Sequence, residues 1–429
     1  MKSTGILLCF IGLFAFTIKL DTLHAQETVY DFDSNSITLQ KNVTVPLLER
    51  YLQSFDKNGL GKEETIFDRN SVIYKNDLPV PVVQRYEEIL GITGRFELVG
   101  DVNLWIEEIG EGVPLVLVSG GPGTSLHYFH PHFLEASKFS RVIYYDLRGV
   151  GLSERTPRKE GYSIMQAVDD LDRLRTKLGI QKWVVLGLSF GGAISQLYSL
   201  KYPESLLGMV LVSSSLPMSI DIGLGLRQYD YQSKKERDRI EQIYSLNGKR
   251  ALPVHSEIVN PDLQQKMLFN AFMNGEWKRR HLKKWTETDM AMYARYEFVH
   301  DKNYYRTMLD DYFNYDLKEV FKNCPIPTLI IDGEWDLAYS SEKHELMKAQ
   351  FPNARYLLVK GAGHIPYEEN PSVFFEALKG FLKFSNSYEG TAIATWKEEI
   401  NLDAYRKRNL AQDLNFLKKE EGTLGNKTQ

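Results

Sequence analysis

Cysteine is nearly absent: 429 residues contain two, Cys9 and Cys324. Cys9 lies in an apolar run near the N-terminus, so a chain processed after that run keeps one thiol and can form no intrachain disulfide. Its stability must come from a packed core, which a chain of this length can supply. Cys324 reads as a small buried hydrophobe and not as a reactive thiol. An excess of charge of one sign is also missing. The 52 basic residues face 56 acidic ones, for a formal net charge of −4, and no basic stripe interrupts the balance. That removes the electrostatic case for a nucleic-acid partner. Internal repeats and low-complexity tracts are absent as well.

Long apolar runs are confined to one place. Lys2 precedes an almost uninterrupted run, Ile6–Ile18, and a polar stretch from Asp21 ends at the small residue Ala25. This is the three-part pattern of a secretory signal peptide, 1–25, with a mature chain beginning at Gln26. The run is shorter than the ~20 residues a spanning helix needs, and Cys9 sits inside it instead of at its end, where a lipid attachment cysteine would be. The expectation is an exported protein, periplasmic or secreted, with no stable membrane insertion once the signal is removed.

What is present begins near Phe96. Short β-branched runs alternate with helical stretches, the signature of a mostly parallel sheet covered by helices on both faces. Expected strands are Leu104–Glu108, Leu115–Ser119, Val142–Asp146, Val184–Leu188, Met209–Ser213, Thr328–Asp332 and Tyr356–Lys360. Several are apolar throughout, as strands buried on both sides should be. Expected helices are Ile164–Leu178, Gly192–Tyr202, Ser341–Phe351 and Ser372–Phe384. The alternation stops after Ser215 and resumes at Ile326. An α/β core of residues 94–215 and 326–385 is thus interrupted by a helical cap, 216–325, and flanked by extensions 26–93 and 386–429. The second extension contains a charged, amphipathic stretch, Trp396–Lys419.

Gly187-Leu188-Ser189-Phe190-Gly191-Gly192 follows an apolar strand and opens a helical stretch. A nucleophile elbow needs that setting, a sharp strand-to-helix turn that lifts the serine above the sheet with glycines where side chains would collide. Serine is a weak nucleophile until a base takes its proton and a third group orients the base. In hydrolases built on such a sheet the order is serine, acid, histidine. Only His344 and His364 come late enough. His344 falls inside an expected helix, whereas His364 follows a strand in Gly361-Ala362-Gly363-His364, a loop position suited to catalysis. Asp332-Gly333-Glu334-Trp335-Asp336 supplies the acid; Asp336, beyond the glycine turn, is preferred and Glu334 is the reserve. Acyl transfer also needs two N–H donors for the oxyanion. Phe190 supplies one, and the loop Ser119-Gly120-Gly121-Pro122-Gly123 the other, through Gly121. That loop lacks a phosphate-binding lysine, and no cofactor is implied.

Ser119–Gly123 resembles the His-Gly-Gly-Pro-Gly loop of the proline iminopeptidase family of α/β hydrolases. Asp146-Leu147-Arg148-Gly149-Val150-Gly151-Leu152-Ser153 resembles the same family's Asp-Gln-Arg-Gly-x-Gly-x-Ser turn. The likeness runs over about residues 94 to 385 and implies the α/β-hydrolase fold and release of N-terminal proline or similar residues from short peptides. Ala294–Phe298 resembles the cap segment in which that family binds the substrate's amino group, which implies this role for Glu297, with Glu287 as a second carboxylate. Ser119 stands where the family has histidine, and Leu188 and Phe190 replace its Gly and Trp. A carboxylesterase or carbon–carbon hydrolase on a small substrate therefore stays open, as does a ligand-binding pseudoenzyme. His127, His130 and His132 have a spacing that could hold a metal, but no fourth ligand accompanies them and a pocket-rim role is expected; no metal is assigned.

Overall fold

The computed structural model describes residues 29–31, 36–38, 80–155, 162–214, 216–217, 269, 285–301, 304–312, 314–334, 336, 338–339, 341–388, 393, 396–397, 400 and 402. The expected signal peptide, most of the 26–79 stretch and the greater part of Trp396–Lys419 lie outside them.

Eight strands form one sheet: β1 Arg95–Val99, β2 Val102–Ile109, β3 Val113–Val118, β4 Ser140–Tyr145, β5 Trp183–Leu188, β6 Leu206–Val212, β7 Thr328–Gly333 and β8 Arg355–Val359. Their order across the sheet is β8-β7-β6-β5-β3-β4-β2-β1. The pairs β1–β2 and β2–β4 are antiparallel and the remainder parallel. All seven expected strands are present, with ends shifted by no more than three residues. The strand of this sheet not expected is β1; a separate antiparallel pair, Val29–Asp31 with Ser36–Thr38, was not expected either. β1 pairs only with β2 and exposes most of its residues, so it carries no solid apolar run to betray it.

The uniformly apolar strands have a simple cause. In β3, Val116 and Val118 enter one core while Leu115 and Leu117 enter another on the opposite face. β6 divides in the same way, Met209 and Leu211 from Val210 and Val212. A period of two therefore delivers every residue to a dry environment, each such side chain contributing roughly 1.5–3 kcal/mol. After a short helix α1, Tyr86–Leu90, helices α2, Ile164–Lys177, and α3, Phe190–Lys201, cover the first face through Val168, Leu171, Ile194 and Leu197. Ser163 caps α2 by accepting the Gln166 N–H at 3.2 Å. The helix Pro371–Ser387 covers the other face with Phe374, Phe381 and Leu382.

Between β6 and β7 the described elements are a short helix Glu287–Met292, a π-turn Tyr293–Glu297 and a helix Tyr304–Tyr312. From the C-terminal extension, Trp396 is buried with its ring 6.4 Å from that of Phe321. Among the described residues no helix is long and apolar enough to cross a membrane.

Candidate active site

Ser189 stands at the carboxyl end of β5 with φ 52° and ψ −116°. A non-glycine residue in that region carries strain of roughly 1–3 kcal/mol, and the surroundings hold it there. The Ser189 N–H donates to the Val212 carbonyl at 2.8 Å, and its own carbonyl accepts the Gly192 N–H at 3.0 Å. The turn is tight enough that a Cβ at Gly191 would lie 2.2 Å from the Val118 carbonyl oxygen. Phe190 is the first residue of α3, so its N–H belongs to the helix's unsatisfied amino end.

Parallel neighbours β7 and β8 deliver the other two groups to the same edge of the sheet. His364 Nδ1 lies 2.9 Å from both carboxylate oxygens of Asp336. Asp336 also accepts the Ala338 N–H at 2.8 Å. Burial opposes its charge, but the His364 imidazole, with help from Lys343 and that N–H, holds its carboxyl below the usual range. The reserve acid is occupied elsewhere: Glu334 accepts from Lys360 at 2.7 Å and from the Gly361 N–H at 3.2 Å. Asp332 is buried against Lys343 and accepts the Tyr356 hydroxyl at 3.0 Å. The structure therefore brings Asp336, and neither other carboxylate of its segment, to His364. His344 remains on a helix, Ser341–Gln350, as expected.

The glycine loop after β3 packs against the elbow. Gly121 has φ 111° and precedes a cis bond to Pro122. The residue facing the nucleophile is its neighbour: a Cβ on Gly120 would stand 3.2 Å from the Ser189 Cβ and 2.8 Å from the Leu188 carbonyl. A pair of glycines does not reveal in sequence which one meets the serine; Gly121, the expected oxyanion donor, follows it directly. Ser119, where the resembling family has histidine, donates its hydroxyl to the Thr124 carbonyl at 2.5 Å.

Asp146 knots this region together. Its carboxylate accepts the Leu126 N–H at 2.8 Å and the Leu152 N–H at 2.7 Å. Two residues on, Arg148 pairs with Asp170 at 2.7 and 2.8 Å and with Asp101 at 2.7 Å. The limb of the cap returning to the core is stitched to both loops. The Ser125 N–H donates to the Glu297 carbonyl and Gly151 N–H to Val299, both at 2.6 Å, and the Asp301 N–H to Gly149 at 2.7 Å.

Glu297 closes the π-turn and is 8% exposed. Burial pushes its carboxyl well above the ordinary range, and the neighbouring charges of Glu368 and Asp289 push it further. Among the described residues no cationic side chain is paired with it. Glu287 is placed differently from the expectation. It is exposed on the first turn of its helix and is not among the charges acting on Glu297. Helix phase explains this: of the two first-turn carboxylates, Glu287 faces solvent, while Asp289 is drawn into a capping box with Thr286. Glu368, which sequence reasoning missed, lies four residues beyond His364 in a short helix, Pro366–Glu369, and no spacing rule ties it to a residue in the cap.

The rings of His127 and His130 lie 5.9 Å apart but meet different carboxylates, and His132 turns to an aromatic ring. His127 Nε2 lies 2.8 Å from Glu87 at an angle that leaves both atoms without a straight hydrogen bond. His130 Nε2 pairs with Glu107 at 2.8 Å, and the ring of His132 is 5.8 Å from that of Tyr367.

Residues 113–371 match the family model described as alpha/beta hydrolase fold. A proline iminopeptidase of Saccharolobus solfataricus is 26% identical over 285 residues, covering 64% of this chain and 86% of the relative. One from Lactobacillus delbrueckii subsp. bulgaricus is 25% identical over 311 residues, covering 68% and 99%. Among solved structures, an esterase from Exiguobacterium antarcticum superposes with a TM-score of 0.53 at 20% identity, over 68% of this chain and all of its own. The sheet order, the strained serine between β5 and α3, and a family match spanning more than half of the sequence make this chain a hydrolase of the α/β-hydrolase family, with proline iminopeptidases among its relatives in sequence.

Proposed function

We propose that the protein is a serine aminopeptidase that removes N-terminal proline or a similar residue from short peptides. Ser189 Oγ attacks the carbonyl of the first residue while His364 accepts the hydroxyl proton, its imidazole oriented by Asp336. The N–H of Phe190 and an N–H of the Gly120-Gly121 loop hold the oxyanion. The proton passes to the departing amine, the acyl-enzyme forms, and water then releases the free amino acid.

The observation carrying the choice of substrate is Glu297. A carboxylate so buried, with two further acidic groups near it and, among the described residues, no cationic side chain on it, is unfavourable unless a cation completes the site. The ammonium of a free amino terminus is such a cation. Tyr293 and Phe298, stacked with ring centres 6.1 Å apart, supply an apolar wall suited to a proline ring. The test compares hydrolysis of prolyl p-nitroanilide, its N-acetylated form and p-nitrophenyl acetate. The unblocked arylamide should be cleaved and the acetylated one refused. Equal rates on blocked and unblocked substrates would reject an aminopeptidase and leave an esterase.

A further inference from the structure

The segment Val80–Leu90 precedes the first strand of the sheet and lies outside the 113–371 family match. Alternating prolines in Pro79-Val80-Pro81-Val82 favour an extended backbone whose carbonyls lack local partners. Those carbonyls are taken by the cap. The Arg295 guanidinium donates to Val80 at 2.6 Å and to Pro81 at 2.5 Å, and the Tyr296 hydroxyl donates to Val83 at 2.8 Å. Arg295 and Tyr296 are the two residues before Glu297.

The same segment then reaches the loop beyond the elbow. Arg85 lies over the Tyr296 ring, 4.8 Å from its centre, and pairs with Glu87 at 3.1 Å. Glu87 faces His127, whose ring stacks on Tyr296 at 5.4 Å. Tyr86 completes the group, its ring 6.0 Å from that of His127.

We propose that Val80–Leu90 is a wall of the substrate's amino-end subsite, with Arg85 a positioning residue that holds the Arg295-Tyr296-Glu297 turn in place and Tyr86 closing the far side. The proposal rests on the aminopeptidase reading and extends it to a part of the chain outside the matched domain. A second sign agrees with the geometry: burial, and after it the charges of Glu297, Asp289 and Glu368, hold the Tyr86 phenol well above the usual tyrosine range. Its hydroxyl thus stays protonated and available as a donor beside those carboxylates.

The experiment uses the full chain with Arg85→Ala, Arg85→Lys and Tyr296→Phe. Arg85→Ala should raise KM for prolyl p-nitroanilide about 10-fold, a loss of the order expected when a cation–π contact and an ion pair go together, while kcat stays within about twofold. KM for p-nitrophenyl acetate and the rate of fluorophosphonate labelling should not move, and Arg85→Lys should recover most of the loss. Tyr296→Phe, which removes only the bond to Val83, should shift KM the same way by a smaller factor and covers the case in which the alanine variant fails to fold. An equal KM rise on the ester, or no rise on the arylamide, overturns the proposal while leaving the aminopeptidase reading intact. A wild type that cleaves no unblocked arylamide removes that reading, and this proposal falls with it.

Discussion

The two halves of the proposed site are built on different principles. The edge bearing Ser189, Asp336 and His364 is made by local rules: each group stands directly beyond its own strand, and parallel pairing of β5, β6, β7 and β8 brings the three strand ends together. The site around Glu297 and its neighbour Asp289 is assembled with residues remote in sequence: Tyr86, Ser125 and Glu368. A site of the first kind tolerates change elsewhere but not in its own residues. A site of the second kind can be loosened from any of its segments.

The sharpest way to break the comparison is to remove the nucleophile. Ser189→Ala should lower turnover by about 10⁴–10⁶ and abolish fluorophosphonate labelling. Asp336→Asn should cost roughly 10⁴ by leaving the imidazole without the partner that fixes its tautomer, whereas Glu334→Gln should change kcat little, because that side chain faces Lys360. Retained labelling in the alanine variant, or a crippled Glu334→Gln, would reassign these roles.

Glu297→Gln should act on the other half alone, lowering kcat/KM for prolyl p-nitroanilide about 10- to 100-fold, the loss of one charge-assisted hydrogen bond, with p-nitrophenyl acetate hardly affected. The pH dependence has a definite sign. Burial raises the Glu297 carboxyl in the free protein, with Glu368 and Asp289 raising it further, and a bound ammonium must lower it again. Binding therefore releases a proton, and the affinity for an unblocked amine should rise with pH until Glu297 ionises unaided. The same raised value means that Glu297 contributes stability below the ordinary carboxylate range which is lost as pH rises through its folded value. The Gln variant should lack that loss and equal or exceed wild-type stability at neutral pH. Urea unfolding at several pH values, with calorimetric binding of prolinamide in two buffers, checks both signs.

The smallest effect concerns the knot shared by the two halves. Asp146→Asn must turn an amide N–H toward one of the two backbone N–H groups it now accepts, from Leu126 or Leu152. A loss of about 1–3 kcal/mol is expected in urea unfolding, with kcat/KM falling equally on arylamide and ester. A neutral substitution would mean that the two loops are held by their other contacts alone.

This contrast also explains what the sequence could disclose. The elbow, the histidine after β8 and the strands buried on both faces were legible because each is a local pattern with one physical cause. Asp336 was separable from Glu334 by its place beyond the glycine turn. Gly120, Glu368, Glu87 and Tyr86 were not legible: their roles depend on which segments the tertiary fold lays against one another, and no periodicity records that. Glu287 was misplaced for the same reason, since two positions on one short helix separate an exposed carboxylate from one that acts on Glu297.

The hydrogen bonds joining the returning limb of the cap to the loops after β3 and β4, with the antiparallel bridge between Val150 and His300, have a consequence for traffic. Each rung is backbone to backbone, so no change of side-chain rotamer can release it. A limb fastened in this way is a fixed jamb and not a door. Substrate and products pass a boundary fastened by main-chain bonds, so turnover on this side is not expected to be paced by a hinge.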